Sequence, residues 1–143
     1  MKALSLFSPS TFTMAYLKPF LVAAAAFTVL DLLWLGVVAK GVYAKYLEQH
    51  MRSDIDWTAA ILFYIIFLAG VVFFVVQPGT SNSGTNVLLR GAFFGMVTYS
   101  TYELTNRAVL QDWPWPIVLI DIAWGTVLCA LVGWTSWYFS QKL

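Results

Sequence analysis

Four long apolar stretches, separated by short polar segments, dominate the pattern along the chain. They cover residues 17–38, 57–76, 87–109 and 116–139. A helix of about 20 apolar residues crosses the roughly 30 Å hydrocarbon core of a bilayer. Helices are expected there because lipid cannot satisfy unpaired backbone groups. The pattern therefore predicts an all-α integral membrane protein, a bundle of four transmembrane helices.

Prolines and aromatic residues mark the predicted helix ends. Pro19 is expected in the first turn of the first helix, and Pro116 opens the fourth. Pro78 and Gly79 end the second, and the polar residues 80–86 form a flexible turn. Two belts of interfacial aromatic residues are expected. One belt contains Trp57, Trp113, Trp115, Tyr43 and Tyr46, and the other contains Trp134, Trp137 and Tyr138.

The composition supports a membrane protein with one domain. Of 143 residues, 60% are hydrophobic and 10% are charged, whereas soluble domains carry about 25% charge. The net charge is +1 and no basic run is present, so no nucleic-acid partner is expected. We predict a single domain over residues 14–143. Residues 1–13 are expected to be a disordered extension, since Met14 is a second candidate start.

Three acidic residues fall inside the predicted spans: Asp31, Glu103 and Asp121. An ionised side chain at the bilayer centre costs about 2.5–3.5 kcal/mol on insertion scales, so each needs a partner, water or a proton. Counting helical rise places the three acids about 8–15 Å deep. All three are predicted to lie in the membrane half next to the loops at residues 40–56 and 110–115.

The third helix carries a polar stripe. Tyr99, Glu103 and Arg107 are spaced by four residues and share one face, which Asn106 and Tyr102 border. Glu103 and Arg107 are expected to form an ion pair. The stripe is either the wall of a polar pocket or a self-satisfied pair with Arg107 extending to the interface.

The first and fourth helices share a short pattern, in which Asp31 precedes Trp34 and Asp121 precedes Trp124 by three residues. We expect each indole N–H to donate to a carboxylate. The aspartates either handle protons or bind a headgroup, or they fix packing through interhelical hydrogen bonds. The predicted polar intramembrane cluster comprises Asp31, Trp34, Tyr99, Tyr102, Glu103, Asn106, Arg107, Asp121 and Trp124.

No metal or cofactor site is indicated. His50 is the only histidine and Cys129 the only cysteine, and no phosphate-binding loop follows a strand pattern. No catalytic residue can be assigned, and the sequence leaves open whether the protein is an enzyme. The small-xxx-small motif from Gly91 to Gly95 indicates close helix packing, either within the chain or in a homodimer.

Four segments together resemble the DUF2177 family of bacterial predicted membrane proteins, over about residues 14–139. They are Asp31-Leu-Leu-Trp34-Leu-Gly36, Tyr102-Glu103-Leu104-Thr105-Asn106, Asp112-Trp113-Pro114 and Asp121-Ile-Ala-Trp124-Gly125-Thr126. The resemblance implies a multi-pass protein of the bacterial inner membrane with no assigned activity. It also implies a link to lipid metabolism, because such proteins are often encoded beside lipid-modifying enzymes.

Three functions are compatible with these features. The first is a lipid-binding or lipid-modifying accessory protein, in which Trp34, Trp124, Tyr64 and Tyr99 wall the polar cluster. Its partners would be membrane lipids and a lipid-modifying enzyme. The second is a small proton-coupled transporter that acts as a dimer. The third is a structural partner of a membrane enzyme, in which the acids serve packing alone.

Overall fold

The computed structural model describes residues 9–79 and 83–142, which form four long helices and no strand. Helix α1 runs without interruption through an α-helix Pro9–Leu33, a π-helical segment Trp34–Ala39 and an α-helix Lys40–Leu47, and a 3-10 turn Glu48–His50 follows it. Helix α2 comprises Trp57–Val71, a π-helical segment Val72–Val76 and Gln77–Gly79. Helix α3 is Gly84–Val109 and helix α4 is Trp115–Ser140. The predicted all-helical membrane fold is confirmed.

Three of the four helices in the described ranges are long and apolar enough to cross a membrane: those spanning Thr13–Leu47, Trp57–Gly79 and Trp115–Ser140. Helix α3 has 26 residues, about 39 Å at helical rise, but its polar stripe lowers its hydropathy. It nevertheless follows α4 in antiparallel fashion. Gly84 lies beside Trp134, and the Tyr99 ring lies against Gly125. Helix α3 therefore extends across the same depth as α4.

Glycines bring α3 and α4 close together. A Cβ built at Gly91 would overlap the backbone of Cys129, and one built at Gly95 would overlap the backbone of Gly125. Both α3 glycines are buried. The small-xxx-small motif therefore serves packing within the chain, where van der Waals contact is a main source of helix association in lipid.

The core lies where all four helices meet, while the outside of the bundle is apolar. Buried core residues include Phe27 of α1, Val71 of α2, Val87 of α3 and Leu128 of α4. Many large hydrophobic side chains point outward instead, on every helix. An exterior of this kind is matched by lipid, which is as apolar as the side chains that face it.

Helix α1 is longer than predicted. It begins at Pro9, so residues 9–13 of the predicted extension are helical, while residues 1–8 lie outside the described residues. Part of the predicted turn, residues 80–82, also lies outside them. Pro19 was expected in the first turn, which is wrong, because the helix starts ten residues earlier.

The interior position of Pro19 is compensated by side chains from two other helices. Proline has no N–H, so the carbonyl of the residue four positions before it lacks its helical donor. Gln77 Nε2 donates to this carbonyl, that of Ala15. The carbonyl of Pro19 itself accepts a 2.7 Å hydrogen bond from the buried Ser136 Oγ. Pro19 thus creates a polar junction between α1, α2 and α4.

Candidate functional site

Two carboxyl groups meet between α3 and α4. Glu103 is fully buried and Asp121 is 8% exposed. Their side chains lie close enough to interact with each other. The helix pair positions them because Gly95 and Gly125 allow α3 and α4 to approach closely one to two turns away. The structure thus brings together two of the three acids that the sequence placed in one half of the membrane.

Each acid accepts one strong hydrogen bond from an aromatic side chain. The Tyr43 hydroxyl donates to Asp121 Oδ1 over 2.7 Å. Trp113 Nε1 donates to Glu103 Oε2 over 2.8 Å. The other oxygen of Glu103, Oε1, is buried and receives no donor from the described protein groups. Each acid thus has one aromatic donor, and Glu103 Oε1 is left without a donor from the described groups.

Trp113 covers the pair from the loop between α3 and α4. Asp112 has φ 58°, in the left-handed region that aspartate tolerates better than most residues. This conformation reverses the chain just after α3 and turns Trp113 back towards Glu103. Trp113 is 4% exposed, and the ring of His50 meets it edge-on at 5.4 Å between centroids.

The expected ion pair between Glu103 and Arg107 is not formed. Within the described residues the ion pair found joins Arg52 and Asp54 at the surface. Arg107 instead donates through Nη1 to the Trp113 carbonyl over 2.7 Å. Its guanidinium also lies over the Trp115 ring, 5.3 Å from the centroid. Arg107 therefore holds the loop that carries Trp113 and leaves Glu103 without a cation.

Trp34 and Trp124, the tryptophans of the two similar motifs, stack on each other. Their ring centroids are 4.3 Å apart and their planes differ by 5°. The expectation that each indole donates to a carboxylate is wrong for both. Trp34 Nε1 donates to the Tyr43 hydroxyl over a long 3.4 Å, and the buried Trp124 Nε1 finds no acceptor among the described groups. Stacking, rather than hydrogen bonding, joins the two motifs.

The π-helical segment of α1 brings Tyr43 towards Trp34. Nine residues of a regular α-helix make about two and a half turns, which would place these side chains on opposite faces. A π-helix closes its hydrogen bonds from i to i+5 and so contains more residues per turn. The segment Trp34–Ala39 therefore reduces the rotation about the helix axis between Trp34 and Tyr43. Tyr43 lies on the same side of α1 as Trp34 and reaches Asp121. Such local widening is frequent at functional sites.

Asp31 lies apart from the acid pair. Its Oδ2 accepts a 3.0 Å hydrogen bond from the Tyr64 hydroxyl of α2. Because α1 and α4 are antiparallel, Asp31 and Asp121 extend in opposite axial directions from the stacked tryptophans, a separation of about 9 Å along the bundle. Asp31 faces a cavity of about 370 Å³ between α1 and α2, whose other polar groups are Thr28 and Tyr64.

Two of the remaining predicted residues, Tyr99 and Tyr102, line a second cavity. This cavity of about 320 Å³ is bounded by Phe63, Phe67, Thr98, Tyr99, Tyr102 and Asp121. Tyr102 is 58% exposed and lies close to Asn106. The Tyr99 ring lies against Gly125 and meets the Phe67 ring edge-on, 6.3 Å between centroids. Of the nine predicted residues, Asn106 and Arg107 thus contact neighbours of the pair, not the pair itself.

A larger apolar groove adjoins the Asp121 cavity. It measures about 900 Å³ and lies between α1, α2 and α3. Its walls include Phe20 of α1, Phe73 and Phe74 of α2 and Phe94 of α3. Phe67 and Thr98 line both the groove and the Asp121 cavity. The two spaces are therefore neighbours along the α2–α3 face of the bundle.

The sequence interpretation missed two residues of the site. Tyr43 and Trp113 were assigned to an interfacial belt, but the first donates to Asp121 and the second to Glu103. Neither position shows a helical spacing that points to an acid. The aspartate and proline flanking Trp113 mark a turn, and only this turn signal could have suggested that Trp113 folds back.

The described residues contain no group of three or more His, Cys, Asp or Glu side chains that could hold a metal ion. The family model described as a predicted membrane protein, DUF2177, matches residues 16–138. No curated protein and no solved structure matches the chain.

Proposed function

The chain belongs to the DUF2177 family of predicted membrane proteins, and we propose that it binds a membrane lipid. The acyl chain occupies the apolar groove between α1, α2 and α3. A headgroup that donates hydrogen bonds, an amine or a hydroxyl, reaches the cavity that contains Asp121. The observation that carries this proposal is the shared boundary of the two spaces at Phe67 and Thr98.

The dimensions of the two spaces suit one lipid leaflet. They extend along α2 from Phe63 to Phe74, eleven residues or about 16 Å at helical rise. Half of a hydrocarbon core is about 15 Å thick. The groove is open on the outside of the bundle, where the bilayer supplies acyl chains. Aromatic rings on three helices form its wall, and their flat faces pack well against an extended chain.

The polar end of this site is rich in acceptors and poor in cations. Asp121 contributes a carboxyl group, and Tyr99 and Tyr102 contribute hydroxyls. Arg107 is engaged with Trp113 and Trp115 on the loop side. An amine or hydroxyl headgroup complements such a surface. A phosphate beside the carboxyl group would be repelled.

Native mass spectrometry of the detergent-purified protein tests the proposal. The test compares wild type with two variants. Asp121→Asn alters the polar end of the site, and Ala69→Trp places a large side chain in the groove, which Ala69 lines. Ala123→Trp is the matched control, because Ala123 is exposed on α4 and does not line the groove. We expect a bound lipid in wild type and in the control, and its loss in both site variants.

Retention of the lipid by Ala69→Trp would contradict the groove, and retention by Asp121→Asn would contradict the polar end. A protein that carries no lipid in any sample would contradict the proposal as a whole. If the protein presents this lipid to a lipid-modifying enzyme, deleting its gene changes the membrane lipid composition. The same deletion complemented with Ala69→Trp should then keep the altered composition.

A further inference from the structure

We propose that the Glu103–Asp121 pair is a proton-binding site, in which the two carboxyl groups share a single proton within the folded protein. The pair then carries one negative charge instead of two. This inference does not depend on the bound lipid.

The hydrogen bonds around the pair leave a place for one proton. Tyr43 and Trp113 donate to Asp121 Oδ1 and Glu103 Oε2 respectively. The fully buried Glu103 Oε1 receives no donor from the described groups, although the Asp121 carboxyl group lies in contact with Glu103. Ionised carboxylates can only accept hydrogen bonds. A single O–H shared between the acids supplies the missing donor.

Among residues 9–79 and 83–142, no cation forms an ion pair with either acid. Helix α1 presents Tyr43 to it, and α2 lines the adjoining cavity with Phe63 and Phe67. The groups of α3 are Tyr99, Tyr102 and Arg107, and the loops contribute Trp113 and His50. Arg107 binds the Trp113 carbonyl, and His50 lies against the Trp113 ring, so neither forms an ion pair with the acids. Two carboxyl groups in contact without a cation cannot both ionise.

The surrounding donors favour a proton over a metal ion. Tyr43 and Trp113 point an O–H and an N–H at the pair, whereas a metal site presents oxygen or nitrogen lone pairs to the ion. Only two acids contribute, and no group of three potential ligands occurs in the described residues. The donors and the shared proton together satisfy the two buried acids.

Infrared spectroscopy detects this proton directly through the C=O stretching band of a protonated carboxyl group. The test uses protein reconstituted in phosphatidylcholine bilayers at neutral pH. It compares wild type with Glu103→Gln, Asp121→Asn and Asp31→Asn. Glutamine keeps the shape of a protonated glutamate and supplies an N–H donor, so Glu103→Gln is expected to fold. The band should be present in wild type and Asp31→Asn, should shift in D₂O, and should be lost in the other two variants.

Three results would overturn the inference. One is a wild-type spectrum without the band. Another is a band that survives both Glu103→Gln and Asp121→Asn, or that only Asp31→Asn removes. The last is a pair of carboxylate bands that respond to sodium, which would indicate a bound cation. Because phosphatidylcholine offers neither an amine N–H nor a hydroxyl donor, a failure here is independent of the lipid proposal.

Discussion

The indole rings of Trp34 and Trp124 stack in parallel at a centroid distance of 4.3 Å, joining α1 to α4 at the centre of the polar site. The stack separates Asp31 with its donor Tyr64 on one side from Asp121 with its donor Tyr43 on the other. The two Asp-x-x-Trp motifs thus meet at their tryptophans, on antiparallel helices.

Replacing either stacked tryptophan by phenylalanine should destabilise the bundle. Stacked aromatic pairs contribute about 0.5–1.5 kcal/mol beyond the area they bury. Trp34→Phe also removes the donor to the Tyr43 hydroxyl, whereas Trp124→Phe removes an N–H that has no acceptor in the part of the chain that the structure describes. We expect the larger loss for Trp34→Phe, measured by thermal unfolding in detergent. Trp57→Phe, at a position 67% exposed, is the control, and equal losses at all three positions would contradict this account.

Glycine positions between α3 and α4 should not tolerate alanine. A Cβ at Gly95 would overlap the Gly125 backbone, and overpacking of this kind typically costs about 1–3 kcal/mol. Gly41 has nothing within 4 Å of its built Cβ. Gly41→Ala should therefore leave stability unchanged or raise it by up to about 1 kcal/mol, the helix-propensity difference. Unfolding measurements in which Gly95→Ala is as stable as Gly41→Ala would rule out the close helix contact.

Substitutions at Arg107 and Trp113 should separate two interpretations of the polar stripe. If Arg107 holds the Trp113 carbonyl, Arg107→Gln loosens the loop but leaves the infrared band of the acid pair in place. If Arg107 were instead paired with Glu103, removing the arginine would favour protonation of Glu103, and the infrared band would appear or become stronger.

Trp113→Phe removes the donor to buried Glu103. It is expected to cost about 1–3 kcal/mol, the price of an unsatisfied buried polar group.

The stability of the protein should depend on pH through the acid pair. Above about pH 4 the carboxyl groups of an unfolded chain are ionised, whereas the folded pair keeps one proton. The folded state then binds more protons, so its stability decreases as the pH rises, by at most about 1.4 kcal/mol per pH unit for one proton. Glu103→Gln should flatten this dependence in unfolding curves recorded from mildly acidic to mildly alkaline pH. An unchanged slope in Glu103→Gln, with Asp31→Asn as reference, would assign the dependence to another group.

The elements of this protein could be predicted from local patterns, since each apolar stretch is long enough to form a helix by itself. The contents of the site could be predicted in part. Glu103 and Asp121 were expected at similar depth because the helices alternate in direction, and they meet. The roles of Tyr43 and Trp113 were missed, because they depend on a π-helical segment and on a residue with positive φ. Neither feature has a periodic signal.

Hydrophobicity was sufficient to establish a membrane protein with four helices, since it is a property of single segments. The depth of the acids, counted from helical rise, stays a prediction. Which donor meets which acid was settled by packing between segments. Arg107 can reach either Glu103 or the Trp113 carbonyl, and the turn at Asp112 makes the carbonyl the nearer acceptor. Gly91, Gly95 and Gly125 set the distance between α3 and α4. That distance brings Glu103 and Asp121 into contact, because two buried acids on neighbouring helices interact only when the backbones approach closely.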